Sequence, residues 1–349
     1  MRVLHILNTS KFSGAENVVC QIISMFNEDK DYEMIYCSLD GSIREALSER
    51  GIWFESIESM TVSQLKAVIQ KTKPDVIHAH DMRAGFIAAY ACKNIPLISH
   101  IHNNSFDSRG ISLKAIAYSF AAMKAKHIFW VSRSAYEGYF FHALYKKKSS
   151  VLYNIINVVS LYERMSQDAK TYNYDVIYLG RLSREKDPYR LLDICKLLVE
   201  KNKQIKIAIV GSGEMEDEIK ATAIEMNLLN NVSFLGFQSN PTKILHDSKV
   251  MIMTSLWEGT PMCALEAQAL GVPIVSTPVD GLKDLVTNYE TGLLSDDNNC
   301  MVEAILELID NKEKHMLMSK KAHSFSIDYN NIDKYKNQLK LTYNDAVNQ

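Results

Sequence analysis

Residues 250–277, VMIMTSLWEGTPMCALEAQALGVPIVST, constrain this chain more than any other stretch. Residues 250–253 form a short apolar run between small polar residues, the pattern of a strand buried on both faces of a parallel sheet. Glu258-Gly259 reads as a turn, Thr260 as an N-cap and Pro261 as the first helical residue. Residues 262–270 are strong helix formers that stop at Gly271, and residues 273–276 open another strand. The amides of Met262 and Cys263 have no carbonyl four residues back, so they face out of the helix start, where the dipole favours a phosphate. Glu258 and Glu266 at the same end repel phosphate and suit hydroxyl groups, such as those of a ribose and a hexose. A loop surface charge and a solvated helix residue would show the same spacing.

The same alternation runs along the whole chain. Apolar runs at 3–7, 33–38, 74–80, 95–102, 125–131 and 151–157 are followed by a second series at 175–179, 205–210, 232–236, 250–253, 273–276 and 292–294. With 349 residues, 47% hydrophobic and 23% charged, the chain suits two domains of ordinary size. The expected architecture is α/β, with two doubly wound Rossmann-like domains facing across a cleft. Expected boundaries are 1–160, a polar linker at 161–174, a second domain at 175–325, and a C-terminal helix at 326–349 that returns to the first domain.

Composition excludes several functions. A net charge of −2 argues against nucleic-acid binding. The six cysteines form no CxxC pair and no metal-ligand spacing, as expected of reduced cytosolic thiols. No segment has the length of a membrane span, and Met1-Arg2 runs straight into a strand, so a cytoplasmic protein is expected.

Other candidate residues lie at strand ends. Gly14, in Ser13-Gly14-Ala15-Glu16, sits at a strand-to-helix junction where backbone can approach a phosphate. His78 and His80 end one strand; His100 and His102, before Asn103, end another, pointing to the ligand crevice of such sheets or to structural partners. Arg181 and Lys186 are two cations in one loop, the charges a diphosphate needs. Gly211-Ser212-Gly213 fails as a dinucleotide fingerprint, because the third glycine position is Glu216. That disfavours a dehydrogenase. Asp29-Lys30-Asp31 has the DxD pattern of a metal site but reads as a solvated turn, and no metal is expected.

Glu258, seven intervening residues, Glu266 and then Ala-x-Ala-x-Gly-x-Pro-Ile-Val closely resemble the retaining glycosyltransferases of family 4, which have the GT-B fold. The resemblance extends over nearly the whole chain. It implies that Glu258 contacts the donor sugar together with His102, and that Glu266 holds the nucleotide ribose. It further implies a diphosphate element at Arg181 and Lys186, donor contacts at Gly14, Gly211, Met262 and Cys263, and a base-binding backbone at Phe237. The chain departs from the family pattern at five positions: Ser13 and Asp280 each replace a glycine, Asp187 stands where glycine is usual, His100 replaces a threonine and Asn103 an aspartate. The implied activity is transfer of a hexose from a nucleotide diphosphate sugar, UDP favoured, to a hydroxyl acceptor, a lipid-linked glycan of bacterial surface polysaccharide. No cofactor is implied. A nucleotide-sugar 2-epimerase of the same fold and a non-catalytic sugar-nucleotide-binding protein are the rival readings.

Residues 109–148 stand apart in charge, with eight basic residues and one acid. Tyr136, Tyr139, Phe140, Phe141, Leu144 and Tyr145 lie among them. Aromatics beside lysines are what an interfacial helix presents to headgroups, so docking on an anionic membrane surface is expected; a core role for the aromatics is the alternative.

Overall fold

The structure, a computed structural model, describes residues 1–12, 14–102 and 108–348; Ser13 and Asn103 lie outside the described residues. The chain divides into two units, Met1–Asn154 with Asn331–Gln349, and Ile155–Asn330. Each is built on a wholly parallel sheet.

The first sheet comprises β1 (Arg2–Ile6), β2 (Glu33–Leu39), β3 (Phe54–Ile57), β4 (Val76–Ala79), β5 (Leu97–Ile101), β6 (His127–Trp130) and β7 (Ser149–Val151) in the order β3-β2-β1-β4-β5-β6-β7. The second comprises β8 (Tyr174–Leu179), β9 (Ile207–Val210), β10 (Val232–Gly236), β11 (Ser248–Met253), β12 (Ile274–Ser276) and β13 (Gly292–Leu294) in the order β10-β9-β8-β11-β12-β13. Both are doubly wound. The strand order reverses between β1 and β4 and between β8 and β11, and such switch points are where these sheets bind ligands.

Strand side chains alternate between the two faces, so the second sheet feeds two cores. Val176, Ile207, Ile209, Val250 and Ile252 lie in one, and Ile177, Ala208, Val210, Met251 and Met253 in the other. Each fully buried aliphatic contributes about 1.5–3 kcal/mol. The first sheet is asymmetric. Leu4, Ile6, Ile35, Ile77 and Ala79 make one face apolar, whereas His5, His78, His80 and His100 are buried elsewhere in the unit. His5 and His78 are register partners on β1 and β4, and Tyr343 from the helix Ile332–Asn348 meets His78 there.

The structure draws several boundaries differently from the sequence. Part of the expected linker is the helix Val158–Ser166, whose Leu161 is fully buried in the second unit. Its start, at Val158, falls before the boundary expected at residue 160. The helix Lys312–Tyr329 stays with the second unit, and the chain returns to the first only from Asn331. Asp29 is no solvated turn residue: its carboxylate, 10% exposed, accepts both Lys336 and Lys340 of the C-terminal helix. Both ammonium groups meet the same oxygen, Asp29 Oδ2.

The basic stretch is also rearranged. Tyr139 is fully buried, and Tyr136, Phe141 and Tyr145 pack against the apolar core. Their rings are therefore structural. Of the residues named from the sequence, Phe140 (46%) and Leu144 (72%) are exposed, and so are Ile111 (73%), Leu113 (88%), Ile116 (51%) and Met123 (61%). Lys148 donates to the carbonyls of Met123 and Ala125, which removes it from the free charges. Among the described residues, no helix is long and apolar enough to cross a membrane.

Candidate active site

In the second unit the loop after β8 and the turn after β11 are tied together by backbone, Leu256 N donating to Glu185 O at 2.9 Å. Thr254 Oγ1 adds bonds to the carbonyls of Lys186 and Asp187 at 2.8 and 3.1 Å. Lys186 and Glu258 meet across this junction in an ion pair, their side chains 16% and 9% exposed. Ser255 Oγ donates to the same Glu258 oxygen at 2.7 Å. Burial alone would lower the Lys186 pKa, but the Glu258 carboxylate reverses this and holds it above its ordinary value.

Two aspartates shape this region. Asp187 adopts φ +48 and caps the helix Pro188–Lys201, its carboxylate accepting from Arg190 N at 3.3 Å. Asp280 adopts φ +38, and its carboxylate accepts from Glu258 N at 3.1 Å. Both occupy positions where the resemblance leads one to expect glycine. Aspartate tolerates this left-handed backbone better than most residues, and each side chain replaces glycine's freedom with a hydrogen bond.

Glycine is retained where sterics leave no choice. Gly211 has φ +129, and a Cβ there would lie 1.9 Å from Gly180 O. A Cβ on Gly281 would lie 1.7 Å from Gly259 O, inside the turn that carries Glu258. Gly211 therefore lets the loops after β8 and β9 touch.

The helix Met262–Ala269 starts one residue later than expected, with Pro261 at its N-cap and no side-chain cap bond. Met262 and Cys263 are still its first residues, so their amides retain the geometry of orphan donors. Burial pushes the Cys263 thiol up to about 12, which keeps it a neutral group rather than a nucleophile. Glu266 lies one turn on and binds Arg164 at 3.1 Å. Burial raises the Glu266 pKa against the pull of Arg164. Arg181 pairs with Glu185 at 2.7 Å and is two-thirds exposed. Phe237, just beyond β10, is 74% exposed.

The structure thus gathers Arg181, Lys186, Gly211, Glu258, Met262, Cys263 and Glu266 around the carboxyl ends of β8, β9 and β11. Gly14 and His102 belong to the first unit. Gly14 begins the helix Gly14–Met25, where a Cβ would meet nothing within 4 Å. His102 Nε2 bonds His80 Nδ1 at 2.9 Å, and its Nδ1 is buried without a partner among the described residues. Sequence reasoning missed Arg164, Ser255 and the carboxylate role of Asp280. Arg164 carried no local signal, since its partner lies 102 residues away.

Comparison with known proteins agrees with this geometry. A family model described as Glycosyl transferases group 1 matches residues 163–325, and one described as Glycosyltransferase Family 4 matches residues 12–160. The UDP-Gal:alpha-D-GlcNAc-diphosphoundecaprenol alpha-1,3-galactosyltransferase of Escherichia coli is 26% identical, with 99% of this chain and 97% of that one aligned. The N-acetylgalactosamine-N,N'-diacetylbacillosaminyl-diphospho-undecaprenol 4-alpha-N-acetylgalactosaminyltransferase of Campylobacter jejuni is 25% identical over 56% of this chain and 53% of its own length. Crystal structures of Anabaena Alr3699/HepE, with UDP and with UDP-glucose, superpose with a TM-score of 0.85 at 20% identity, covering 99% of this chain and 100% of theirs. At that identity the likeness speaks to the fold.

Proposed function

We propose, from the premise that this chain belongs to the GT-B glycosyltransferases of the family 4 type, that it is a retaining hexosyltransferase. Its donor is a UDP-sugar and its acceptor a hydroxyl of a lipid-linked glycan. The observation that carries this reading is the Lys186–Glu258 ion pair beside the start of the helix Met262–Ala269. A buried cation with two outward amides suits a diphosphate, and a carboxylate held against it suits a sugar hydroxyl.

In this reading the charge that develops on the departing diphosphate is met by Lys186, by Arg181 once it leaves Glu185, and by the Met262 and Cys263 amides. Such fixed donors need no reorganisation as the bond breaks, which is the usual source of their catalytic value. Glu266, oriented by Arg164 through one oxygen, keeps the other for a ribose hydroxyl. Glu258 grips the sugar. His102, whose Nε2 is held by His80 Nδ1, is the residue of the first unit that the resemblance assigns to the sugar. Gly14, Gly211 and Phe237 offer backbone to the donor, and no metal is needed at the diphosphate.

The names of two relatives, both acting on undecaprenol-linked substrates, support a lipid-linked acceptor. UDP in the titles of the Anabaena structures and UDP-Gal in the Escherichia coli name support the base. An enzyme with such an acceptor works at a membrane, and the exposed Leu113, Ile116 and Leu144 beside Lys146 and Lys147 suit docking there. The test is donor hydrolysis across UDP-, GDP- and ADP-sugars, followed by proton NMR of the product anomer. Retained configuration from a UDP-sugar is expected; inversion, or turnover only with another base, would overturn the corresponding part.

A further inference from the structure

Five imidazoles cluster in the first unit, and the site proposed above uses only His102 of them. His5, His78, His80 and His100 are buried to within 1% of full, and His102 is half-buried. His78 and His80 are two residues apart at the end of β4, so their side chains share one face of the sheet, and His5 is the register partner of His78. Their ring centroids lie 4.1–5.2 Å apart. One ring nitrogen from each of the three lies within 4.8 Å of the other two.

We propose that His5, His78 and His80, none of them assigned to the donor, form a binding site for one first-row transition-metal ion of the zinc class. The outer nitrogens carry the argument. His5 Nε2 faces Met34 Sδ at 3.4 Å, His78 Nδ1 faces Tyr343 OH at 2.8 Å, and His80 Nδ1 faces His102 Nε2 at 2.9 Å. Each of these partners can accept a hydrogen bond. If all three outer nitrogens donate, every inner nitrogen (His5 Nδ1, His78 Nε2 and His80 Nε2) presents a lone pair. Metal-ligating histidines are normally fixed by such an outer acceptor, which sets tautomer and ring orientation.

The inner nitrogens otherwise have poor prospects. His5 Nδ1 and His80 Nε2 face one another at 2.8 Å, and His78 Nε2 is buried with no partner among the described residues. A tetrahedral centre with bonds of about 2.0–2.1 Å sets its ligand nitrogens roughly 3.3 Å apart. That spacing lies between the 2.8 Å of His5–His80 and the 4.8 Å bound on the set, so small ring movements suffice. His100, with both nitrogens buried and unpartnered among the described residues and its ring 5.4 Å from those of His78 and His80, can supply a fourth ligand.

Neutral imidazoles select zinc, nickel, cobalt or copper and reject magnesium and calcium, which seek oxygen. A second trio, His80, His100 and His102, is also close, but the free nitrogens of His100 and His102 lack outer partners among the described residues. The first trio is the better built.

The test uses the full chain without a polyhistidine tag, purified as made and also refolded with zinc or cobalt. Elemental analysis should find about one equivalent per chain, and Tyr343→Phe should weaken retention about 10- to 100-fold. The cobalt form should show visible d–d bands without thiolate charge transfer. Less than about a tenth of an equivalent in both preparations would overturn the site, leaving water to fill the cluster. Thiolate charge transfer, or full retention in folded His78→Gln, would overturn it equally.

Discussion

Lys186 and Glu258, 72 residues apart in sequence, close an ion pair between the loop after β8 and the turn after β11. Both side chains are largely withdrawn from water, so neither partner is disposable. Removing one partner of such a pair leaves an uncompensated charge, at a cost of about 3–5 kcal/mol. Lys186→Ala should therefore lose that much stability in urea titrations. Lys186→Met with Glu258→Gln should regain most of it while donor hydrolysis stays abolished. A double-mutant coupling under about 0.5 kcal/mol would mean that the pair is incidental.

The turn holding Glu258 should be intolerant of a methyl group at Gly281. With the added Cβ 1.7 Å from Gly259 O, backbone must shift, and overpacking of this kind costs about 1–3 kcal/mol. Asp280→Gly relieves the positive φ but deletes the acceptor for Glu258 N. It should leave the melting temperature nearly unchanged while lowering kcat. An unaltered kcat in folded Asp280→Gly would remove the aspartate from the support of Glu258.

How much of this was legible follows from the range of each signal. The helix ending at Gly271, the buried strands on either side and the doubly wound order all rest on local periodicity and punctuation, and they could be read. Asp187 and Asp280 could be noticed as departures, but their compensating hydrogen bonds could not, because those depend on a backbone angle. Arg164 was hidden in a segment that looked like linker, since its helix, Val158–Ser166, straddles the boundary expected at residue 160. The aromatics at 136–145 misled for the opposite reason. Their composition matched a membrane face, while the rings of Tyr136, Tyr139, Phe141 and Tyr145 pack on the core and that of Phe140 is exposed.

Glu266 should prove a ribose ligand only in the company of Arg164. A charged hydrogen bond is worth roughly 1.5–3 kcal/mol, so Glu266→Ala should weaken UDP roughly 10- to 150-fold by calorimetry. Arg164→Ala should weaken it less, since Arg164 orients rather than touches. Parent-like UDP affinity in folded Glu266→Ala would take the residue out of the site.

The histidine cluster should make the first unit acid-sensitive. Burial depresses His5 and His102 to about 3 and holds His78, His80 and His100 well below the ordinary value. The unfolded chain binds these protons from about pH 6.5 downward, while the folded chain does not, so stability rises with pH across this window and falls on acidification. Each such histidine adds to the loss of stability as pH falls below about 6.5. Calorimetric scans from pH 7 to 4.5 should show one transition collapsing first, and His100→Phe should flatten the slope. Identical acid slopes for parent and His100→Phe would show that His100 is not held neutral.

Docking on an anionic membrane should depend on Leu144, Lys146 and Lys147 and on the exposed face of the helix Leu113–Lys124, not on the rings buried in the core. Residues 1–150 carry eighteen basic and fourteen acidic side chains, a net +4 against −2 for the whole chain. The exposed apolar groups are Leu113, Ile116 and Met123 on the helix Leu113–Lys124, with Leu144 beside Lys146 and Lys147. Each basic side chain near such a surface is worth about 1 kcal/mol, enough for reversible binding with a few apolar insertions. Leu113→Ser with Leu144→Ser, and separately Lys146→Gln with Lys147→Gln, should each reduce co-sedimentation with phosphatidylserine vesicles. Tyr139, by contrast, is fully buried, so Tyr139→Phe should leave co-sedimentation unchanged at a small cost in stability. Added salt should release the parent protein, because screening shortens the reach of the lysines. Equal binding to neutral vesicles would point to apolar adhesion alone, and no binding to anionic ones would end the idea.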